Sequence, residues 1–303
     1  MNFSSKTGIY VSALRNFFRE SLRNFAIDPR QQFSVVYSQA STDAGGQEAP
    51  VAAPGAGDHG TLKRLFVLDS SFNPPSKAHE WIAKSAVPGP PEQAGGFADR
   101  MIMMACLARD LLADVEAEVA DIDPGGLVID IGLTKKPYFV GKAEAIDQSG
   151  VYGTGVEQVH LVGFDTLTRI FERKYYAELG LEVLTPFLKR HRLRVLTRPD
   201  DEDAKKGWGN GQEQAEWLDK MRRGELEELG CRKEWAERIE LVDAEKEEVA
   251  GGVSSTKARE AVKTGRWQDV DKLLGPTVAA WVRETGLYQE EGEGGGAKSA
   301  VGS

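Results

Sequence analysis

Short apolar runs alternate with helical patterns along most of this chain. The apolar runs, which predict buried strands, are Phe33–Tyr37, Leu65–Leu68, Leu127–Ile131, Val159–Val162, Leu193–Leu196 and Ile239–Val242. Between them, helical spacing predicts helices over Arg100–Leu112, Lys142–Gln148 and Leu167–Glu178, and residues 257–283 are helical again. Strands that alternate with helices are typical of a parallel sheet covered by helices on both faces. The pattern therefore predicts an α/β fold built on a doubly wound parallel sheet.

The N-terminal segment has a helical pattern of its own. Its apolar residues at helical spacing are Leu14, Phe17, Phe18, Leu22 and Phe25. The segment also carries basic residues and has Glu20 as its first acidic residue, a composition shared with mitochondrial presequences. The apolar spacing favours an ordinary amphipathic helix. The expected location is then the cytoplasm or the nucleus rather than the mitochondrion.

Composition divides the chain into four parts. Residues 1–38 are predicted to be an extension of one helix and one strand, and residues 39–61, rich in Gly, Ala, Pro and Ser, a flexible linker. The main domain is expected over residues 62–288 and ends in the C-terminal helices. Residues 289–303 are rich in Gly and Glu, which predicts a disordered tail.

An insertion interrupts the main domain at residues 200–233. It combines the acidic run Asp200–Asp203 with the glycine-rich run Gly207–Gly211, followed by a helical pattern around Gln212–Leu229. Two interpretations stay open for this insertion: a flap over the functional site, and a surface elaboration without a role.

Charge and cysteine content exclude several classes of function. The formal net charge of −9 and the pI near 5.2 argue against broad binding to nucleic acid or to anionic membranes. Cys106 and Cys231 provide neither a zinc pattern nor a disulfide framework, and they fit a reducing compartment. No apolar run in the sequence is long enough to span a bilayer.

The first motif with chemical meaning follows the first strand of the main domain. It reads Ser-Ser-Phe-Asn-Pro-Pro-Ser-Lys-Ala-His over residues 70–79. In a doubly wound sheet, a loop that leaves the carboxyl end of a strand opens onto the ligand crevice. The small residues that open the motif allow backbone amides to approach a phosphate, and Ser76 can cap a helix that begins near Lys77 and attracts anions. His79, in the first turn of that helix, would stabilise charge that develops on a phosphate.

The second motif is Gly-Gly-Val-Ser-Ser-Thr-Lys-Ala-Arg over residues 251–259, and it leads into a helix. Its hydroxyl residues 254–256 are suited to capping that helix and, with the free amides, form a second anion site. Lys257 and Arg259 add positive charge, and an arginine can hold phosphate oxygens bidentately. Each motif alone has a simpler interpretation as a turn or a helix cap. Two anion-binding helix starts in one α/β chain suit a polyphosphate such as ATP.

Motifs for competing chemistries are absent from the sequence. No Gly-x4-Gly-Lys P-loop occurs, and no Gly-x-Gly-x-x-Gly follows a strand, which disfavours P-loop ATP hydrolysis and dinucleotide-binding dehydrogenases. The histidines His59, His79, His160 and His191 lack metal-ligand spacing. No metal ion held by protein side chains alone is therefore expected.

Both motifs resemble those of the nucleotidylyltransferase superfamily, and within it the nicotinamide mononucleotide adenylyltransferases. That family has Gly-Ser-Phe-Asn-Pro-x-Thr-x-x-His after its first core strand and Ile-Ser-Ser-Thr-x-x-Arg before its C-terminal helices. The counterparts here are Ser70–His79 and Val253–Arg259. Between them, Leu161–Asp165 resembles the family's Gly-Ala-Asp element, and Arg194–Pro199 the strand and Arg-containing loop that follow it. The resemblance covers about residues 62–288 and implies a Rossmann-like sheet.

The resemblance also implies a reaction and a set of site residues. The phosphate of nicotinamide mononucleotide would attack the α-phosphate of ATP in line, giving NAD and pyrophosphate, with Mg²⁺ on the ATP. His79, at the α-phosphate, and Arg259 would be catalytic. Asn73 and Tyr176 would bind the mononucleotide, the tyrosine by stacking on the nicotinamide. The implied ATP-binding residues, whose aspartate would contact the adenosine, are Ser71, Phe72, Lys77, Asp165, Ser255, Thr256 and Lys257.

Several positions depart from the family pattern. Ser70 replaces the glycine that opens the first motif, and Ser76 replaces its threonine. Phe164 replaces the alanine of the Gly-Ala-Asp element, where it is expected to reach the adenine pocket. Residues 131–143 show no clear counterpart of the family's aromatic contact. The chain therefore resembles a divergent branch, of the kind found in fungi.

Three functions stay open at this point, of which NAD synthesis leads. Nucleotidyl transfer to another phosphorylated acceptor, such as phosphopantetheine, phosphocholine or nicotinic acid mononucleotide, would use the same motifs. A nucleotide-binding regulatory or scaffold protein with little transferase activity would need neither His79 nor Arg259. Their presence together disfavours that third interpretation.

Overall fold

The structure is a computed structural model, and it describes residues 7–40, 62–69, 74, 96–118, 127–197, 211–243 and 253–289. The strands within these ranges are β1 (Phe33–Ala40), β2 (Arg64–Leu68), β3 (Val128–Thr134), β4 (Glu157–Gly163), β5 (Arg192–Leu196) and β6 (Ile239–Val242). The α-helices are α1 (Thr7–Ile27), α2 (Phe97–Glu118), α3 (Phe139–Ser149), α4 (Phe164–Ile170), α5 (Thr185–Arg190), α6 (Gly211–Arg222), α7 (Ser255–Lys263), α8 (Trp267–Leu273) and α9 (Pro276–Thr285). Short 3-10 helices lie at Arg173–Tyr175, Ala177–Leu184, Glu227–Leu229 and Lys233–Arg238.

Four of the strands form a parallel sheet in the order β2-β4-β5-β6. In its register Val67 of β2 lies opposite His160 of β4, and Val162 of β4 lies opposite Val195 of β5. The five central positions of β4 are all buried, as expected of an inner strand that is covered on both faces. This sheet confirms the α/β fold predicted from the alternation of strands and helices.

Helices cover both faces of the sheet. Successive residues of β4 point to opposite sides, so their contacts show which helices lie on each face. Val159 and Leu161 pack in a hydrophobic cluster with residues of α2, α7, α8 and α9. Val162 packs with Leu193 and Val195 of β5 in a second cluster, to which α4, α5 and α6 contribute. The predicted doubly wound arrangement is therefore confirmed.

The N-terminal helix and strand pack against the rest of the fold. Leu14 and Phe18 of α1 are buried in the same cluster as α2. Strand β1 pairs with β3 in an antiparallel two-stranded sheet, so the strand predicted at Leu127–Ile131 lies outside the parallel sheet. Buried positions in β3 alternate with more exposed ones, which is the pattern of a strand with one covered face.

Two of the predicted helical segments are divided into several helices in the structure. The pattern over Leu167–Glu178 predicts one helix, but α4 ends at Ile170 and 3-10 turns follow it. One of these turns contains Gly180 at φ 57°, a left-handed value that an α-helix does not accommodate. Residues 257–283 divide into α7, α8 and α9, and Pro276 opens α9, where its missing N–H is not needed.

The described part of the 200–233 insertion packs into the core. The helix predicted around Gln212–Leu229 is α6, which ends seven residues earlier, at residue 222. Its Trp217 ring lies 6.0 Å from the Phe164 ring and 5.7 Å from the Phe171 ring, measured between centroids. Helix α6 is therefore a packed part of the second hydrophobic cluster.

Candidate functional site

The carboxyl ends of β2 and β4 lie side by side, because the two strands are parallel neighbours. Asp69 follows β2 directly, and Asp165 lies in the first turn of the helix that follows β4. Helix α3 adds Lys142, whose Nζ donates a hydrogen bond to Asp69 Oδ2. This edge is where ligands bind in doubly wound sheets, so Asp69 and the Gly-Phe-Asp element lie at the expected crevice.

The second motif forms the capped start of α7. Ser254 is the N-cap, and its Oγ accepts a hydrogen bond of 3.2 Å from the backbone N–H of Lys257. Thr256 and Lys257 are exposed, and Arg259 Nη2 donates to Thr256 Oγ1 at 3.2 Å. The hydroxyl run therefore caps a helix, and its basic residues stand at the N-terminal turn, where anions bind.

One hydrogen bond joins the two motifs. Ser255 Oγ donates to the backbone carbonyl of Pro74 at 2.8 Å, across 181 residues of sequence, and Pro74 is buried. The start of α7 therefore contacts the first motif at Pro74. The remaining candidates of the first motif lie outside the described residues, namely Ser71, Phe72, Asn73, Lys77 and His79.

Asp165 is held close to the backbone at the start of α4. Gly163 is the N-cap of this helix, and a Cβ at that position would lie only 3.1 Å from Asp165 Oδ1. A glycine at 163 therefore leaves room for the carboxylate. Phe164 does not reach an adenine pocket as expected, because it is 2% exposed and its ring packs edge-on against Trp217 in the core.

Tyr176 belongs to a cluster of three tyrosines. Its hydroxyl donates to the backbone carbonyl of Ile170 at 2.7 Å, and burial raises the pKa of its phenol to about 12. The Tyr138 ring lies 6.1 Å from Tyr176 and 6.3 Å from Tyr175. Tyr138 and Tyr175 are the more exposed members, at 47% and 37%. Tyr138 is the aromatic residue that the sequence did not single out between 131 and 143.

Arg100 is a second residue that the sequence did not single out. It lies in the first turn of α2, where its Nε and Nη1 are buried and find no hydrogen-bond partner among the described residues. Burial lowers the pKa of its guanidinium, whose carbon lies 5.6 Å from the centroid of the Phe97 ring. A positive charge in the first turn of a helix is unfavourable with the helix dipole, and this was the only feature of the sequence that distinguished Arg100.

Tyr288 connects Arg100 to the second motif. Burial raises the pKa of the Tyr288 phenol, while the positive charges of Arg259 and Arg100 act in the opposite direction. Both guanidinium groups are therefore close enough to act on the same hydroxyl. The negative charge of Asp99 acts on this hydroxyl as well, in the direction opposite to the two arginines. Arg100 on α2 and Arg259 on α7 are residues of the type that holds phosphate oxygens.

Neither a metal cluster nor a membrane helix is found within the described ranges. No group of three or more His, Cys, Asp or Glu side chains there is placed to hold a metal ion. No helix among the same residues is both long and apolar enough to cross a membrane.

Comparison with known proteins finds a relative that covers most of the chain. A protein of Schizosaccharomyces pombe named "Putative nicotinamide mononucleotide adenylyltransferase" is 32% identical over 226 residues, which is 70% of this chain and 81% of that protein. No protein-family model matches the chain.

Proposed function

The chain belongs to the nicotinamide mononucleotide adenylyltransferase family, and from this premise we propose that it transfers the adenylyl group of ATP to nicotinamide mononucleotide. The products are NAD and pyrophosphate. The observation that carries the proposal is the hydrogen bond from Ser255 to the Pro74 carbonyl. It brings together two anion-binding motifs that lie 181 residues apart, as a polyphosphate held between them requires.

The reaction needs no nucleophile from the protein, because the attacking phosphate oxygen of the mononucleotide is already an anion. Catalysis is then positioning together with stabilisation of charge on the transferred phosphoryl group. ATP enters with Mg²⁺ as part of the substrate. His79, by the resemblance of the first motif, contacts the α-phosphate.

Cations at the start of α7 bind the leaving pyrophosphate in this proposal. Arg259 and Arg100 hold the β- and γ-phosphate oxygens, and the hydroxyls of Ser255 and Thr256 donate hydrogen bonds to them. Lys257, exposed at the same turn, adds a third positive charge. The buried, unpartnered nitrogens of Arg100 support this assignment, because a buried cationic donor without a partner is costly until an anion supplies one.

The nucleosides bind at the two sides of the β4 carboxyl end. Asp165 accepts hydrogen bonds from the adenosine, and Asn73 binds the mononucleotide. Tyr176 forms the base of the nicotinamide site, with Tyr138 and Tyr175 as its accessible rings, since they are the more exposed members of the cluster. Burial of α1 in the core supports action in the cytoplasm or nucleus over removal as a presequence.

The test is NAD formation from Mg-ATP and nicotinamide mononucleotide, followed through alcohol dehydrogenase. His79→Ala and Arg259→Gln should each abolish most of the NAD signal, whereas Arg222→Gln, which alters an exposed ion pair with Asp219, should leave it unchanged. Nicotinic acid mononucleotide, phosphopantetheine and phosphocholine are tested as acceptors in parallel. Pyrophosphate release with one of these and none with nicotinamide mononucleotide would reject the proposed acceptor. ATP binding without any pyrophosphate release would favour a regulatory protein.

A further inference from the structure

A nearly buried ion pair lies where the first motif begins. Asp69 directly follows β2 and precedes Ser70, and Lys142 reaches it from the first turn of α3. The two side chains are 10% and 12% exposed, and Lys142 Nζ donates to Asp69 Oδ2. The pair therefore connects α3 to the residue that directly precedes residues 70–79, which are the phosphate loop of the proposed function.

Stability alone does not explain this pair. Removing a lysine and an aspartate from water is costly, and apolar side chains of similar volume stabilise a core at least as well. Asp69 Oδ1 is also buried and has no hydrogen-bond partner among the described residues. Lys142 compensates one oxygen of the carboxylate, and its Nζ lies 5.4 Å from the centroid of the Phe139 ring. A partly satisfied polar pair of this kind indicates a role in the site.

Electrostatics suggest what that role is. The loop that begins after Asp69 is proposed to bind the phosphates of ATP, which carry several negative charges. A bare carboxylate in a buried position beside that loop would repel them, because charges are poorly screened away from water. With Lys142 in contact, the pair has no net charge. The lysine also fixes the carboxylate, and with it the end of β2, against α3.

We propose that Lys142 is a positioning residue that holds Asp69 at the head of the phosphate loop and cancels its charge, so that ATP can bind. The inference rests on the proposed function and adds to it a determinant of ATP affinity on α3. It predicts that the sign of the charge at this place, and not only the packing, controls the KM for ATP.

The test compares Lys142→Met, Asp69→Asn and the double variant in the NAD assay. Burial raises the pKa of the Asp69 carboxyl and Lys142 opposes that rise, so Lys142→Met is assayed over a series of pH values. At the high-pH end, where the unpaired carboxylate is charged, the KM for ATP should rise about tenfold with a smaller change in kcat, since ground-state binding is lost. The double variant removes both charges and should return the KM to within about threefold of wild type. Lys189→Met, which alters an exposed lysine on α5, is the matched control and should change nothing.

Each outcome decides the inference. A Lys142→Met protein with wild-type KM and a lower melting temperature would make the pair purely structural, as would a double variant no better than the single one. If Lys142→Met does not fold, Asp69→Asn decides, because its amide can still accept from Lys142 and its KM should not exceed wild type by more than about threefold. A larger rise would overturn the charge argument.

Binding of α,β-methylene ATP, measured by calorimetry, separates this inference from the proposed function. Wild-type protein that neither binds the analogue nor makes NAD would refute the proposed function, and this inference with it. Wild-type activity together with unchanged analogue affinity in Lys142→Met would refute the role of Lys142 alone.

Discussion

Replacing Arg100 by methionine should separate stability from activity in this protein. Arg100 Nε and Nη1 are buried and have no hydrogen-bond partner among the described residues. Burial also lowers the pKa of the guanidinium, so the fold itself disfavours the charge. Methionine retains much of the apolar stem and removes the unpaired donors. We therefore expect the variant to fold at least as stably as wild type and to lose nucleotide binding.

The magnitudes follow from what the guanidinium lacks and what it would gain. An unmade hydrogen bond from a buried donor costs about 1–3 kcal/mol, so the variant should gain between zero and about 2 kcal/mol of unfolding free energy. A charge-assisted hydrogen bond to phosphate contributes about 1.5–3 kcal/mol. Its loss should lower kcat/KM for ATP by about 10- to 150-fold, at about 1.4 kcal/mol per tenfold change.

Arg15→Met provides a matched control on the neighbouring helix. Arg15 binds Asp99 at 2.8 Å and stacks over Trp281 at 5.6 Å, so its charge is compensated within the fold. This variant should lose about 1–2 kcal/mol of stability while kcat/KM stays unchanged. Urea denaturation and initial rates of NAD formation measure both quantities on the same preparations. An Arg100→Met protein that is destabilised by more than about 2 kcal/mol with unchanged kcat/KM would refute the reasoning.

The remaining predictions concern the hydrogen bond between Ser255 and Pro74, the packing of Trp217 on helix α6, and the buried imidazole of His160. Ser255→Ala removes the hydrogen bond to Pro74, so urea denaturation should show that the unfolding free energy falls by about 1–2 kcal/mol. The KM for ATP should also rise about tenfold. An unchanged KM would contradict a phosphate site built from both motifs. Trp217→Ala should lose about 2–4 kcal/mol with the KM for ATP unchanged; a raised KM at full stability would instead indicate a flap. Burial lowers the pKa of His160 to about 3, below its ordinary 6.5. The unfolded chain therefore takes up a proton that the folded one does not, and stability should fall by about 1.4 kcal/mol for each pH unit from 6.5 towards 3. Unfolding free energies that are equal at pH 6.5 and 5.5 would contradict a buried neutral imidazole.

The fold could be predicted from the spacing of apolar residues, because buried positions recur with the period of a strand or a helix. The short run Val159–Val162, apolar except for His160, predicted a buried strand, and β4 is covered on both faces. The run Leu127–Ile131 predicted β3 as a buried strand, but it predicted neither the half-buried pattern of β3 nor its antiparallel partner β1, because local pattern does not determine which strand pairs with which. Helical spacing over Leu167–Glu178 concealed the end of α4 at Ile170, and Gly180, two residues beyond that segment, has a left-handed φ of 57°.

The site residues could be predicted only where they lie next to one another in the sequence. The caps and cations of the second motif are contiguous, so Ser254 and its neighbours could be recognised from residue types. Lys142 and Asp69 are 73 residues apart, and Arg100 acquires significance only through the burial of two of its nitrogens. Such contacts arise from tertiary packing. In the sequence, each of these residues is only one more charged position, so the contacts could not be predicted.

Adenylyl transfer moves the α-phosphate of ATP onto the mononucleotide. ATP labelled with ³²P at the α-phosphate therefore shows directly whether this protein transfers an adenylyl group. Purified protein is incubated with the labelled Mg-ATP and nicotinamide mononucleotide, and the products are separated by chromatography. Adenylyl transfer would place the label in NAD and release an equal amount of unlabelled pyrophosphate. Label that appears in ADP or AMP, with none in NAD, would contradict adenylyl transfer and leave a protein that hydrolyses ATP.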